Sequence, residues 1–256
     1  MRDLARRVWP PALALAVLVA AWEVAANAAH ASLSLPGPWL VVTASWHDRG
    51  DLGSAMWTTT QEALLGIALA IACAIVLAIA LDWSVAARRS LYPLMILSQT
   101  IPLIALAPLV VIWFGFGEAP KILLVALFTF FSISVSTTQG LASADLDTMN
   151  LLRTMGASRR QILWRVRLPS ALPQFFTGLK IGVTFAYVAA IFAEYVGAYG
   201  GLGYYMNVAS HAFNTDLVFG AVIVTAVLTL ALFAVVVALE RAMIRWRPRA
   251  QLDESW

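Results

Sequence analysis

The chain has 256 residues, 61% of them hydrophobic and only 12% charged, with a mean hydropathy of +0.80. A soluble domain is about 25% charged, so an ordinary soluble fold is excluded and a lipid bilayer is the solvent that can take so much apolar surface. A single cysteine, Cys73, excludes an intrachain disulfide and a thiolate metal cluster, and the net charge of +3 hides a very uneven spread of basic residues.

A bilayer core about 30 Å thick takes roughly 20 apolar residues as helix. Arg2, Arg6 and Arg7 precede the first such run, 10–29, which carries Glu23. This beginning has the outline of a cleavable signal, ending at Ala29-His30-Ala31, but the run is long for one and reads as a retained helix. Segment 32–58 holds Pro36, Gly37 and Pro38, which block regular helix, and then a short interfacial helix over 44–60 with Trp46 and Trp57 at headgroup depth. The second run, 63–81, lies uncharged between Glu62 and Asp82. The third, 90–117, contains Ser98, Gln99 and Thr100, followed by Pro102 and Pro108, each of which removes a helical hydrogen bond and kinks the span. The fourth, 122–144, lies between Lys121 and Asp145.

The fifth and sixth runs, 175–197 and 217–239, follow a polar, Arg-rich stretch, 145–174. None of the runs alternates polar and apolar residues, so strands are excluded and the fold class is all-α. With the N-terminus inside, the inner loops hold 14 of the 17 basic residues, which is the positive-inside pattern. The expectation is a single transmembrane domain over 1–256 with six spans, an N-terminal helix at 10–29, a core over 58–241 and both termini cytoplasmic. In stretch 145–174, apolar residues at 151, 152, 155, 162, 163 and 166 recur at helical spacings interrupted near Gly156, and Asp145 and Asp147 suit a helix N-terminus.

From Asn150 to Pro169 the chain reads NLLRTMGASRRQILWRVRLP. The position of Gly156, separated from Leu152 by three residues, and the nine residues separating it from Val166-Arg167-Leu168-Pro169 resemble the signature loop of ABC importer permeases. Asn-Leu-Leu stands where that family has Glu-Ala-Ala, and Val166 where it has Ile. Leu35-Pro36-Gly37-Pro38, Gly50-Asp51-Leu52, Ile101-Pro102, Trp113-Phe114-Gly115 and Glu194 through Tyr204 resemble the nitrate/sulfonate/taurine-type branch over about 33–247. Ser98 to Pro102, Phe130-Phe131, Arg153 to Ser158 and Gly203 to Met206 resemble permeases for thiamine-precursor pyrimidines within it.

The resemblance implies a type I importer permease fold and no catalytic activity in this chain, which agrees with the absence of a phosphate-binding GxxxxGK[ST] loop. It implies two copies of an ABC ATPase subunit, an extracytoplasmic solute-binding protein, a second permease copy and membrane lipid as partners, with no nucleic acid and no cofactor. The residues expected to couple to the ATPase are Leu152, Met155, Gly156, Ala157, Ser158, Arg159, Arg160, Ile162, Leu168 and Pro169. In that reading Gly156 takes a positive-φ turn between two helices, Arg159 and Arg160 face acidic groups of the partner, and Pro169 stops the second helix. From the charges alone the same stretch is an ordinary basic inner loop.

Ionisable and polar groups inside a bilayer are functional candidates by default. Gln99, Thr100, Pro102, Phe130, Tyr187, Glu194 and Tyr195 are the expected lining of the translocation pathway, with Phe130, Phe131, Tyr187 and Tyr195 able to stack on a flat heteroaromatic solute. Glu194 stands equally well as a pathway group or as a structural carboxylate bonded to the backbone of the 197–203 loop. No Lys or Arg lies mid-span, which favours a neutral or cationic solute over sulfonate or nitrate, and import of a sulfonate, taurine or nitrate by the same class of importer is the alternative. His30, His47 and His211 are far apart in sequence and read as solvated loop residues, not a metal site. An intramembrane enzyme would need a catalytic set that is absent here, and a gradient-driven carrier leaves the Arg-rich loop unexplained.

Overall fold

The computed structural model describes residues 2–28, 35–98 and 100–245, and every element among them is helical. In chain order these are α1 (Arg2–Ala28), α2 (Pro38–His47), α3 (Arg49–Trp83), α4 (Val85–Ser98), α5 (Leu103–Phe114), α6 (Ala119–Ala142), α7 (Leu146–Thr154), α8 (Arg159–Ile162), a π-helical turn (Leu163–Arg167), α9 (Leu168–Gly197), α10 (Leu202–His211) and α11 (Thr215–Met243). Four helices are long and apolar enough to cross a membrane: Arg49–Trp83, Ala119–Ala142, Arg159–Gly197 and Thr215–Met243. Shorter apolar helices cover Leu13–Ala28 and Ala105–Phe114. The proposed signal cleavage point, Ala29–Ala31, lies outside the described residues.

Three expectations are corrected. Pro38 does not block helix: it occupies the first turn of α2, where its missing N–H is no loss, and helix begins there and not at 44. The helix expected over 44–60 is divided at Asp48 (φ −94°, ψ 18°), and its second half, with Trp57, is the N-terminal part of α3. The third run is two helices and not one continuous kinked helix. Pro102 (φ −65°, ψ 126°) is the N-cap of α5, and a proline disfavours helical backbone in the residue before it, so 100–102 are not helical while Pro108 is kept inside α5.

The bundle is built around α6, which packs against α3 on one side and α9 on the other. Its core is small-residue rich: Ala70 and Ala74 of α3 and Ala186, Ala189 and Ala190 of α9 are buried with Val125, Ile133, Phe176 and Val183. In a membrane no hydrophobic effect drives helices together, and close backbone approach supplies the packing instead. A Cβ on Gly178 would stand 2.6 Å from the Ser132 carbonyl oxygen, so α9 lies directly on the backbone of α6.

Ion pairs fasten the ends. Lys121 at the start of α6 meets Glu62 of α3 at 2.6 Å. Arg167 before α9 meets Asp82 at the end of α3 at 2.6 Å, and Lys180 of α9 meets Glu240 at the end of α11 at 3.1 Å. The first two pairings, with Arg167 also reaching the Leu141 carbonyl at the end of α6, run α3 and α6 in the same direction and α9 against both, with charge at opposite ends of the bundle.

Candidate functional site: a helical coupling segment and an aromatic cavity

The segment after α6 is shaped by local hydrogen bonds. Asp145 caps α7, accepting from the Thr148 amide at 3.0 Å, the Asp147 amide at 3.4 Å and the Thr148 hydroxyl. The Thr148 hydroxyl, and then these amides, hold the Asp145 carboxyl below its ordinary range. At the other end of α7, the Gly156 amide reaches the Arg153 carbonyl at 3.0 Å and the Ala157 amide reaches the Leu152 carbonyl at 2.9 Å. This is a Schellman ending, which needs a left-handed residue, and Gly156 supplies it at φ +80°. Ser158 and Gln161 then form a capping box that starts α8, Ser158 Oγ accepting from the Gln161 amide at 3.3 Å and Gln161 Oε1 from the Ser158 amide at 2.8 Å.

The apolar residues of the segment divide into two sets. Met149 and Ile162 are buried with Ala144, and Leu152, Ala157 and Val166 pack on them. Leu152, Ala157 and Ile162 therefore clamp α7 to α8 and are not the outward face expected of them. The outward face is Leu146, Leu151 and Met155, at 68%, 61% and 74% exposure, with Trp164 also exposed. Arg159 and Arg160 are exposed beside it. Leu168 packs with Ala78, Leu141, Leu163 and Ala171, inside the bundle.

Pro169 does not stop the helix. It lies in the first turn of α9, and the preceding π-helical turn, Leu163–Arg167, lets the helix run on from Arg159 to Gly197. A proline cannot donate to the carbonyl four residues earlier and its ring crowds that carbonyl; widening the preceding turn relieves both. The same turn aims Arg167 sideways, where Nη1 meets Asp82 at 2.6 Å and Nε the Leu141 carbonyl at 3.2 Å. The coupling segment is thereby tied to the ends of α3 and α6.

Deeper in the bundle, a cavity of about 260 Å³ is lined by Ile101, Leu106, Leu127, Phe128, Phe131, Ser132 and Phe185. Of the expected stacking residues it takes Phe131 only. Phe130 turns into the core, meeting Phe131 edge-on at 5.1 Å. Tyr187 is buried, with its hydroxyl 3.4 Å from Thr60 Oγ1. Tyr195 is half-exposed and gives only its carbonyl to Asn207, at 3.5 Å. Thr100 and Pro102 are exposed at the break before α5, the Thr100 hydroxyl donating to the Leu97 carbonyl at 2.7 Å; Gln99 lies outside the described residues. Phe128 and Phe185 face this cavity without having been expected there, since an aromatic residue in an apolar run carries no sign of which way it points.

Glu194 is fully buried and held by backbone. Its Oε1 accepts from Thr59 Oγ1 at 2.7 Å and its Oε2 from the Gly203 amide at 2.6 Å, while Thr59 Oγ1 also accepts from the Leu202 amide at 2.7 Å. Gly201, at φ +95°, closes the turn against the carboxyl, and any Cβ there would collide with it. Of the two readings open for Glu194, the geometry is that of the anchored carboxylate. A second cavity, about 370 Å³, opens beside this turn, with Asp48, Asp51, Tyr199, Tyr204, Tyr205 and Asn214 among its lining. Burial, and then its bond to Asp48, raise the Tyr205 hydroxyl above its ordinary pKa.

Comparison with known proteins agrees with this architecture. The formylaminopyrimidine transport permease ThiX of Halalkalibacterium halodurans is 36% identical over 244 residues, covering 93% of this chain and 96% of that protein. The taurine transport permease TauC of Escherichia coli is 34% identical over 256 residues (97% and 93%), and the riboflavin transport permease RibX of Chloroflexus aurantiacus 33% over 252 residues (96% and 94%). An inward-facing structure of the MetNI methionine ABC transporter shares the fold with a TM-score of 0.60 at 19% identity, over 80% of this chain and 97% of the other. Residues 66–245 match the model of the binding-protein-dependent transport system inner membrane component, and the chain belongs to that family of ABC importer permeases.

Proposed function

We propose that this permease subunit imports a planar nitrogen heterocycle, with a thiamine-precursor pyrimidine as the leading candidate, through a pathway formed by two copies of the chain. In this reading α1, α3, α4 with α5, α6, α9 and α11 are six spans with both termini cytoplasmic. The segment 145–174 docks on an ATPase subunit, and an extracytoplasmic binding protein delivers the solute. ATP binding draws two coupling segments together and opens the outer end, and hydrolysis lets the solute go inward.

The observation that carries this reading is the exposed Leu146–Leu151–Met155 ridge held on a capped, two-helix support and tied through Arg167 to the ends of α3 and α6. An apolar ridge with a basic collar is the form a helix takes to enter a partner's groove. The cavity chemistry supports the solute class. The inner cavity is aromatic with one hydroxyl and no ionisable group, and the outer one bears two carboxylates and tyrosines. Neither attracts a sulfonate, whereas a ring with amine donors can stack and bond in both.

The test is reconstitution in proteoliposomes with the ATPase and binding protein. Met155→Glu, at an exposed position, should leave the chain folded and weaken ATPase docking by tenfold or more, about 1.4 kcal/mol. Solute-stimulated hydrolysis should fall with it. Uptake should favour a formylaminopyrimidine over taurine and alkanesulfonates. Uptake of taurine in its place would move the solute assignment to the sulfonate type, and unchanged stimulation in Met155→Glu would remove the ridge from the docking surface.

A further inference from the structure

Away from both the candidate coupling segment and the aromatic cavity, three ionisable side chains from three helices meet in the buried interior of the bundle. Glu62 of α3 is 2% exposed, Lys121 of α6 is 5% and Glu194 of α9 is 1%. Lys121 Nζ sits 2.6 Å from Glu62 Oε1. Glu194 takes the Thr59 hydroxyl on Oε1 and the Gly203 amide on Oε2. Thr59, which holds Glu194, stands one helical turn from Glu62 on the same face of α3, so the two acids meet at one place in the bundle. Yet Glu62 Oε2 receives no hydrogen bond from any donor among the described residues.

The surroundings supply nothing else to balance the second acid. Glu118, at the N-cap of α6, adds a further negative group acting on Glu62. From α10 come only the backbone amides of Leu202 and Gly203. No ionisable residue occurs in α5, and Asp216 of α11 acts on Tyr205. Two ionised carboxylates cannot share a buried site with one lysine at no cost; a proton between them removes the repulsion and gives the orphaned oxygen a donor.

We propose that Glu62 and Glu194 hold one proton between them, making Lys121–Glu62–Glu194 a neutral proton-binding latch that fastens the Gly201 turn and α10 to α3 and α6. The two macroscopic titrations belong to the pair and not to either residue. Drawing α9 away from α3 at this end strands both acids, so proton occupancy favours the latched arrangement and loss of the proton favours its opening.

The test is infrared spectroscopy of the full-length chain in lipid, with and without ¹³C-glutamate, at about pH 7, where a carboxyl of ordinary pKa near 4 is fully ionised. The wild type should show a label-sensitive C=O stretch of a protonated carboxylic acid. Glu194→Gln should abolish the band and keep the wild-type unfolding temperature, because its carboxamide donates to Glu62 Oε2 in the proton's place. Glu62→Gln should abolish it as well, leaving Glu194 ionised against Lys121. Absence of the band in the wild type, or its survival in Glu194→Gln, overturns the proposal; if Glu62→Gln does not fold, the Glu194→Gln arm decides alone. None of these readouts involves an ATPase or a solute, so they stand or fall apart from the import reading.

Discussion

Gly156 has φ +80° and nothing within 4 Å of where a Cβ would sit, so its requirement is conformational and not steric. A left-handed residue with a side chain costs about 1–2 kcal/mol, less for asparagine. ATPase stimulation should therefore fall in the order Gly156, Gly156→Asn, Gly156→Ala, and an alanine variant equal to wild type would show that the turn is not under selection by geometry. Ser158→Ala removes one half of the capping box and should destabilise the start of α8 by about 0.5–2 kcal/mol, read as faster amide exchange over residues 159–162. Asp145 titrates below its ordinary value because the Thr148 hydroxyl and the amides favour the charged form. Its capping is thus fully present above about pH 4, the unfolded value, and is lost only as pH falls through the lower folded value. Asp145→Asn, which caps without titrating, should hold the Thr148 amide protected through that acid window where wild type loses protection.

At the level of the element, the sequence pattern located the helices of the coupling segment but not their facing. Spacing makes Leu151, Leu152 and Met155 one amphipathic set; only the packing of α7 on Ile162 and Val166 separates Leu152, turned inward, from Leu151 and Met155, turned outward. Pro169 was legible as a helix breaker and is none, because the π-helical turn before it absorbs the lost hydrogen bond. That turn also places Arg167 on Asp82, and Asp82→Asn should lower the unfolding temperature of the permease and reduce solute-stimulated hydrolysis together, since it loosens the coupling segment from α3. A fall in neither would leave the pair without a part in transmission. Gly178→Leu forces α9 off the Ser132 carbonyl and should cost at least the 1–3 kcal/mol typical of overpacking, seen as loss of folded protein in detergent.

For the whole molecule, one copy leaves long apolar faces uncovered. Ile181, Phe185, Val188 and Phe192 form an exposed stripe along α9 at helical spacing. The proposed second copy accounts for this stripe, and a cysteine placed at Val188 in a Cys73→Ser background should give a cross-linked dimer in membranes under mild oxidation. Exclusively monomeric chain would move the stripe to the lipid-facing side.

Hydropathy, arginine distribution and the spacing from Gly156 to Pro169 are properties of the chain read locally. By themselves they determine a helical membrane protein, the order of its apolar runs and the place of the Arg-rich, glycine-broken helical segment between two of them, because transfer into lipid and turn geometry are each set within a few residues. They do not say that Glu62, Lys121 and Glu194 meet, that Glu194 anchors the Gly201 turn, or that Phe131 and not Phe130 faces the cavity. Those outcomes depend on the relative rotation and register of α3, α6 and α9. Close backbone contacts and the cost of stranding a charge in a buried interior set both, and these energies exist only once distant segments are packed.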